Sequence, residues 1–148
     1  DIHTYFDNVK EMLLKERISN VEALNHDIFA KALQENNYDY AVSSSVFEHI
    51  PKEKLDPGIR NIASCLKPNG YFLIGFPLKT LVMNAIFSVF EFTYIHLKKM
   101  YNFSHKIDHP SGYNEIVPEI EKYFVVEEKK YFLNNLFKLY IVIKCRKK

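Results

Sequence analysis

The hydrophobic positions of this chain change period several times, and each change marks an element. From Thr4 to Arg17 the apolar residues are Tyr5, Phe6, Val9, Met12, Leu13 and Leu14, the spacing of one helix face. Thr4 stands where a cap would start that helix, with Asp7 three residues later, close to a capping box. Val21-Glu22-Ala23-Leu24 is a short strand candidate, and Asp27 to Glu35 reads as a short helix or turn. The turn-like Asn36-Asn37 leads into a strand from Asp39 to Ser43. Pro51 to Leu66 reads as a helix. Pro51 suits its first turn, Ile59, Ile62 and Leu66 form its apolar stripe, and Pro57-Gly58 is a weak point within it. Lys67-Pro68-Asn69-Gly70 is a turn signal, and Tyr71 to Phe76 is an almost unbroken apolar run, the pattern of a strand covered on both faces.

The later half continues the alternation. Thr80 to Met100 reads as a long helix, Asn102 to Gly112 as a polar loop, and Tyr113 to Tyr123 as another helix. Phe124 to Glu128 and Leu136 to Cys145 are the last two strands, joined by the polar and aromatic loop Lys129 to Asn135. Helices alternating with apolar strands predict an α/β open sheet. No helix separates the last two strands, which predicts an antiparallel pair at one edge. Leu81 to Leu97 is the most membrane-like stretch, but Asn84, Glu91 and His96 interrupt it and Lys79, Lys98 and Lys99 bound it. A span needs about 20 mainly apolar residues, so this is read as an amphipathic or buried helix.

Composition narrows the class. The 148 residues suggest one domain, and 47% apolar with 26% charged residues excludes disorder, a collagen-like chain and a disulfide scaffold. Cys65 and Cys145 lie 80 residues apart and read as buried thiols of a reducing compartment, which points to the cytoplasm. A net charge of +2 from 20 basic and 18 acidic residues makes no general case for nucleic acid, and Lys144 to Lys148 reads as a solvated basic end. Residues 1–20 are charged and lack the apolar core of a signal peptide. Two features stand out. The chain has 4 Gly, where average usage of roughly 7% would give about ten. It begins at Asp1 rather than Met.

In open α/β sheets the ligand lies beyond the carboxyl ends of the strands. The strand ends here are Asp1-Ile2 (given a strand before them), Asn25-His26-Asp27, Ser43-Ser44-Ser45 and Gly75-Phe76-Pro77. An acid at such an end can accept two hydrogen bonds from a ribose diol, and Asp1 is placed for this if a strand precedes it. Asp27 could accept from the exocyclic amine of a purine while the Ile28 N–H faces a ring nitrogen; it is equally a good helix N-cap. The serine triplet either lets a ligand approach the backbone or is simply a turn. Glu48-His49 is either an acid/base pair or a polar pair at a helix edge. His105 and His109 are four apart, but they sit in a loop with no third ligand, so no metal site is expected.

Two stretches resemble the class I S-adenosylmethionine-dependent methyltransferases of the small-molecule type. Tyr38-Asp39-Tyr40-Ala41-Val42-Ser43-Ser44-Ser45-Val46-Phe47-Glu48-His49-Ile50 is similar to that family's fourth strand and its Leu-Glu-His-Ile continuation. Ile62-Ala63-Ser64-Cys65-Leu66-Lys67-Pro68-Asn69-Gly70-Tyr71-Phe72-Leu73-Ile74 is similar to its Leu-Lys-Pro-Gly-Gly turn and fifth strand, with Asn69-Gly70 in place of the usual Gly-Gly. The two occur in the family's order, about 16 residues apart. At lower resolution Asp1-Ile2 resembles the end of the second strand, Asn25 to Ile28 the end of the third, and Leu136 to Cys145 the last strand.

The resemblance implies a Rossmann-like methyltransferase sheet of order 3-2-1-4-5-7-6, mostly parallel with an antiparallel edge hairpin. It implies S-adenosyl-L-methionine as cofactor. Asp1 and Ile2 would hold ribose, Asp27 and Ile28 adenine, and Ser43 and Ser44 would flank the methionine part. Glu48 and His49 are the candidates for orienting the acceptor or taking its proton. The family's first strand and Gly-x-Gly-x-Gly loop have no counterpart in these residues; Gly58, Gly70, Gly75 and Gly112 are scattered singly. The expectation is therefore a single domain over residues 1–148 that forms the later two-thirds of a methyltransferase. The apolar and aromatic segment Leu81 to Tyr101 points to an apolar, lipid-like small-molecule acceptor, or alternatively to plain core packing, with His105, His109 and Tyr113 at the rim. Neither the acceptor atom nor the oligomeric state is legible. Competing classes are a non-catalytic binding module on the same fold, a nicotinamide-dependent oxidoreductase, which would need its own Gly-x-Gly-x-x-Gly, and a membrane-surface protein using Leu81 to Leu97.

Overall fold

The computed structural model describes residues 2–78, 110–132 and 138–148. Asp1, the expected helix from Thr80 to Met100, the membrane-like stretch Leu81 to Leu97, and His105 and His109 lie outside the described residues.

The first helix, α1, runs Ile2–Lys15. It begins before Thr4, which therefore lies in its first turn instead of capping it; cap signals locate a helix start only to within a residue or two. Its end is a Schellman closure. Arg17 takes φ 56°, its N–H donates to the Leu14 carbonyl at 3.1 Å, and the Ile18 N–H donates to the Leu13 carbonyl at 2.9 Å. Val21 to Leu24 is not a strand but irregular chain, with Val21 54% exposed. Apolar sequence alone does not make a strand: it needs a neighbour for its N–H and C=O groups, and no strand among the described residues pairs with this segment.

The remaining elements are β1 (Tyr38–Ser44), a 3-10 turn (Phe47–His49), α2 (Lys52–Cys65), β2 (Leu66–Pro77), α3 (Tyr113–Tyr123), β3 (Phe124–Phe132) and β4 (Tyr140–Lys147). Of these, α2, α3 and β1 follow the hydrophobic pattern to within a residue, while the other strands differ. The one expected over Tyr71 to Phe76 begins at Leu66, that expected over Phe124 to Glu128 extends to Phe132, and that expected over Leu136 to Cys145 runs from Tyr140 to Lys147. The sheet order is β1-β2-β4-β3. β1 and β2 are parallel, and β4 pairs antiparallel with both β2 and β3. This is the α/β Rossmann-like sheet expected, with the antiparallel hairpin at one edge. Among the described strands, however, the balance lies with antiparallel ladders, because β4 inserts between β2 and β3 and contributes two of them.

Lys67 to Gly70 also departs from expectation. Instead of a turn ahead of the strand it is a bulge within it: Tyr38 pairs with Leu66 and Tyr40 with Tyr71, so the residues between loop out of the ladder. Asn69 takes φ 62° there. Lys67 Nζ reaches across to both Asp39 carboxylate oxygens at 2.9 Å.

Alternation along the strands gives the sheet one buried face. Phe72, Ile74 and Phe76 of β2 and Ile141, Ile143 and Cys145 of β4 pack with Leu55, Ile59 and Ala63 of α2 and with Ile116 and Ile120 of α3. Burial pushes the Cys145 thiol up to about 12, so it is an inert core side chain. The two helices are tied together at the surface, where Asp56 Oδ1 accepts from Lys122 Nζ at 3.2 Å and from the Tyr123 hydroxyl at 3.0 Å. On the other face Tyr40, Val42 and Ser44 are exposed, Val42 by 75%. The apolar run of β2 predicts cover on both faces; Phe72, Ile74 and Phe76 are fully buried on one, while on the other Tyr71, Leu73 and Pro77 are half-buried and Gly75 is buried. No helix among the described residues is long and apolar enough to cross a membrane.

Gly58, the weak point of α2, has a packing reason. A Cβ there would stand 2.4 Å from Cδ1 of Phe29. The absent side chain makes the seat for that ring, and through it for the turn that carries Asp27.

Candidate functional site

The carboxyl end of β1 is built by three segments remote in sequence. Ser43 is half-buried and pairs with Ile74, while Ser44 is exposed and pairs with Gly75. Ser45 then turns the chain with φ 52°, a left-handed conformation that non-glycine residues rarely hold without support. The support is its N–H, which donates to the Gly75 carbonyl at 2.8 Å. The hydroxyl of Tyr140, the first residue of β4, lies 2.9 Å from Ser44 Oγ and 3.3 Å from Ser45 Oγ. Its ring lies over Gly75, where a Cβ would come within 2.8 Å of it.

Asp27 caps its own turn. Its Oδ1 accepts from the Phe29 N–H at 2.9 Å, and its carbonyl accepts from the Ala30 and Lys31 N–H groups. The capping alternative is thus realised, while the carboxylate as a whole stays exposed. The turn is anchored to α2 by Asn61, whose side-chain amide donates to the Ile28 carbonyl at 2.8 Å, and by Phe29 over Gly58. Nearby the Leu33 N–H donates to Cys65 Sγ at 3.2 Å.

Glu48 and His49 form the 3-10 turn. Glu48 is 2% exposed, and its Oε2 is buried with no hydrogen-bond partner among the described residues. His49 Nε2 stands 3.9 Å from Glu48 Oε1. Ser111, fully buried, closes this turn: its N–H donates to the Glu48 carbonyl at 3.3 Å and its hydroxyl to the Ile50 carbonyl at 2.5 Å. Phe29 and Phe47 meet edge-on at 5.6 Å between ring centres, which joins the Asp27 turn to the Glu48 turn.

The structure therefore brings Glu48 and His49 together and couples them through aromatic packing to Asp27 and Ile28. Ser44 is joined to Tyr140. Ile2 sits in α1. An open groove of about 500 Å³ lies elsewhere, between the end of α1 and residues 18–25, and Ile2, Asp27, Ile28, Ser43, Ser44, Glu48 and His49 do not line it. Tyr140 and Ser111 are not singled out by the sequence reasoning. For Tyr140 a signal existed: the amino end of an antiparallel strand lies at the same sheet edge as the carboxyl ends of its parallel-running neighbours.

Residues 3–127 match the family model for the tellurite resistance protein TehB. The chain belongs to the TehB family. It is also similar in fold to solved structures. One is the PH0226 protein from Pyrococcus horikoshii OT3, with 17% identity over 97% of this chain and 66% of that one and a TM-score of 0.68. Another is TehB from Haemophilus influenzae, with 22% identity over 94% of this chain and 45% of that one and a TM-score of 0.59. A third is the N-methyltransferase NodS from Bradyrhizobium japonicum WM9 in complex with S-adenosyl-L-homocysteine, with 13% identity over 94% of this chain and 61% of that one and a TM-score of 0.62. No curated protein matches the chain. The fold of this TehB-family chain is that of the class I S-adenosylmethionine-dependent methyltransferases, and the chain spans no more than 66% of the length of these three structures.

Proposed function

We propose that this TehB-family chain forms the later part of a methyltransferase domain that moves a methyl group from S-adenosyl-L-methionine to a small-molecule acceptor. The observation that carries the proposal is the family match over residues 3–127. The likeness to structures such as NodS, solved with S-adenosyl-L-homocysteine, supports the choice of cofactor. The outer edge of β1, which no strand among the described residues pairs, supports further sheet beyond it.

The donor set fits such a cofactor. Ser44 and Ser45 hold exposed hydroxyls at a strand end, and Asp27 is an exposed carboxylate with only Oδ1 engaged by its own turn. In this reading Asp27 and Ile28 hold the adenine, Ser43 and Ser44 flank the methionine part, and Asp1 and Ile2 stand by the ribose. The cofactor when bound supplies a methyl group on a positively charged sulfur, already activated toward a lone pair. What remains for the protein is alignment of the acceptor and, for an acceptor that must lose a proton, a base. Glu48 and His49 take that role. The buried Oε2 of Glu48, without a hydrogen-bond partner among the described residues, supports it, because a carboxylate oxygen in such a place gains from a ligand that brings a proton. The apolar composition of Leu81 to Tyr101 supports an apolar, lipid-like acceptor.

The test is calorimetric titration of the full-length protein with S-adenosyl-L-homocysteine, followed by methyl-transfer assays with labelled cofactor on apolar and polar acceptors. Binding and turnover of apolar acceptors are expected. Turnover of polar acceptors alone overturns the acceptor class, and a folded protein that gives no binding heat is a non-catalytic module instead.

A further inference from the structure

We infer that Tyr140 is a positioning residue that orients the Ser44 and Ser45 hydroxyls toward the amino-acid part of the cofactor; this rests on the methyltransferase reading above. Ser44 is exposed, and an exposed serine hydroxyl ordinarily rotates among staggered rotamers. Here both hydroxyls are engaged by one phenol, at 2.9 and 3.3 Å. The arrangement draws on β1, β2 and β4 together. Gly75 leaves room for the ring, which a Cβ would meet at 2.8 Å, and it also accepts the Ser45 N–H at 2.8 Å. Gly75 has no positive φ, so its missing side chain serves the tyrosine ring and not an unusual backbone.

Proton counting narrows the pattern a ligand must meet. A phenol has one proton, so it can donate to only one of the two serines; in the arrangement inferred here it donates to one and accepts from the other. The serine that receives keeps its own proton to give. The serine that donates keeps lone pairs with which to accept. The pair therefore presents one donor and one acceptor side by side, in an orientation fixed before a ligand arrives. A carboxylate and an ammonium on one carbon, the head of an α-amino acid, complement that pattern. A nucleoside also presents neighbouring donors and acceptors, on its base edge and its ribose diol, but no charged donor and acceptor on one carbon. The amino-acid part is chosen because Ser43 and Ser44 flank it in the reading above.

The experiment compares wild-type full-length protein with Tyr140→Phe, Ser44→Ala and Gly75→Ala, titrating each with S-adenosyl-L-homocysteine and separately with adenosine. Loss of one oriented hydrogen bond predicts about five- to tenfold weaker binding of S-adenosyl-L-homocysteine by Tyr140→Phe, with adenosine affinity unchanged and the melting temperature within about 4 °C. Gly75→Ala, which displaces the ring by another route, gives the same pattern. Tyr140→Phe with Ser44→Ala costs no more than the larger single change, since the two act as one unit. Unchanged binding of S-adenosyl-L-homocysteine by Tyr140→Phe, or equal weakening of adenosine, overturns the assignment while leaving the methyltransferase reading intact. A folded wild type that binds neither ligand overturns both.

Discussion

The two faces of the sheet come from the same strands, residue by alternate residue, and they share almost nothing else. One carries Phe72, Ile74, Phe76, Ile141 and Ile143, all fully buried under α2 and α3. The other carries Tyr40, Val42 and Ser44 from β1, exposed among the described residues, then Gly75, and Tyr140 over it. The first face is repetitive and interchangeable: any close-packed set of apolar residues of the same volume would serve. The second is particular. A glycine is present because of one ring, and a left-handed serine because of one carbonyl. Close packing and the particular contacts of the candidate site lie on opposite sides of one layer.

The contrast can be broken first by truncation. Phe72→Ala should cost about 3–5 kcal/mol in urea unfolding, whereas Val42→Thr on the opposite side should stay within about 0.5 kcal/mol. Comparable losses from the two would show that the open face is packed like the other. Next comes Gly58→Ala in α2. Alanine is the better helix former by about 1 kcal/mol, yet its Cβ would stand 2.4 Å from the Phe29 ring. Overpacking should win, with a net loss of about 1–3 kcal/mol that disappears in a Phe29→Ala background. A stabilised Gly58→Ala would show that the ring moves aside freely.

A smaller effect is expected at the tie between the helices. The hydrogen bond from Lys122, with help from Tyr123, holds the Asp56 carboxyl below its ordinary 3.8. A depressed carboxylate contributes fully above its unfolded pKa and loses that contribution as pH falls through the folded value. Acid titration of stability should therefore run steeper below about pH 3.8 in the wild type than in Asp56→Asn, with parallel curves above. Equal acid limbs would remove the tie from the account. Least of all should come from Asp39→Asn, which breaks the exposed pair with Lys67. A cost under about 1 kcal/mol that vanishes in 1 M salt is expected; a larger one would mean the bulge depends on that clasp.

Much of the architecture is written in the hydrophobic period. Tyr113 to Tyr123 is the whole of α3 as read from sequence, and α2 and β1 agree to within a residue or so at their ends. The misreadings share a cause: they depend on what lies beside a segment rather than in it. Val21 to Leu24 has strand-like residues but no ladder to join. Lys129 and Lys130 read as loop because of their charge, yet they belong to β3, an edge strand, where lysine is a common guard against further pairing. Lys67 to Gly70 carries turn chemistry and spends it on a bulge. At the site, Asp27, Glu48 and His49 are legible as motif residues. Tyr140 and Ser111 are not, since each acts across a distance of many residues, at Ser44 and at Ile50.

The position of β4 has a consequence for the order in which the protein can be made. It is the last of the described strands along the chain and an inner one in space, and its pairing with β2 spans from Tyr71 to Arg146. Until Tyr140 and the residues after it have emerged from the ribosome, β2 and β3 have no hydrogen-bonded link to each other, and the apolar row of β2 waits without its neighbour. Such distant pairings are slow to form, and a nascent chain in this condition is the kind of client that chaperones shelter.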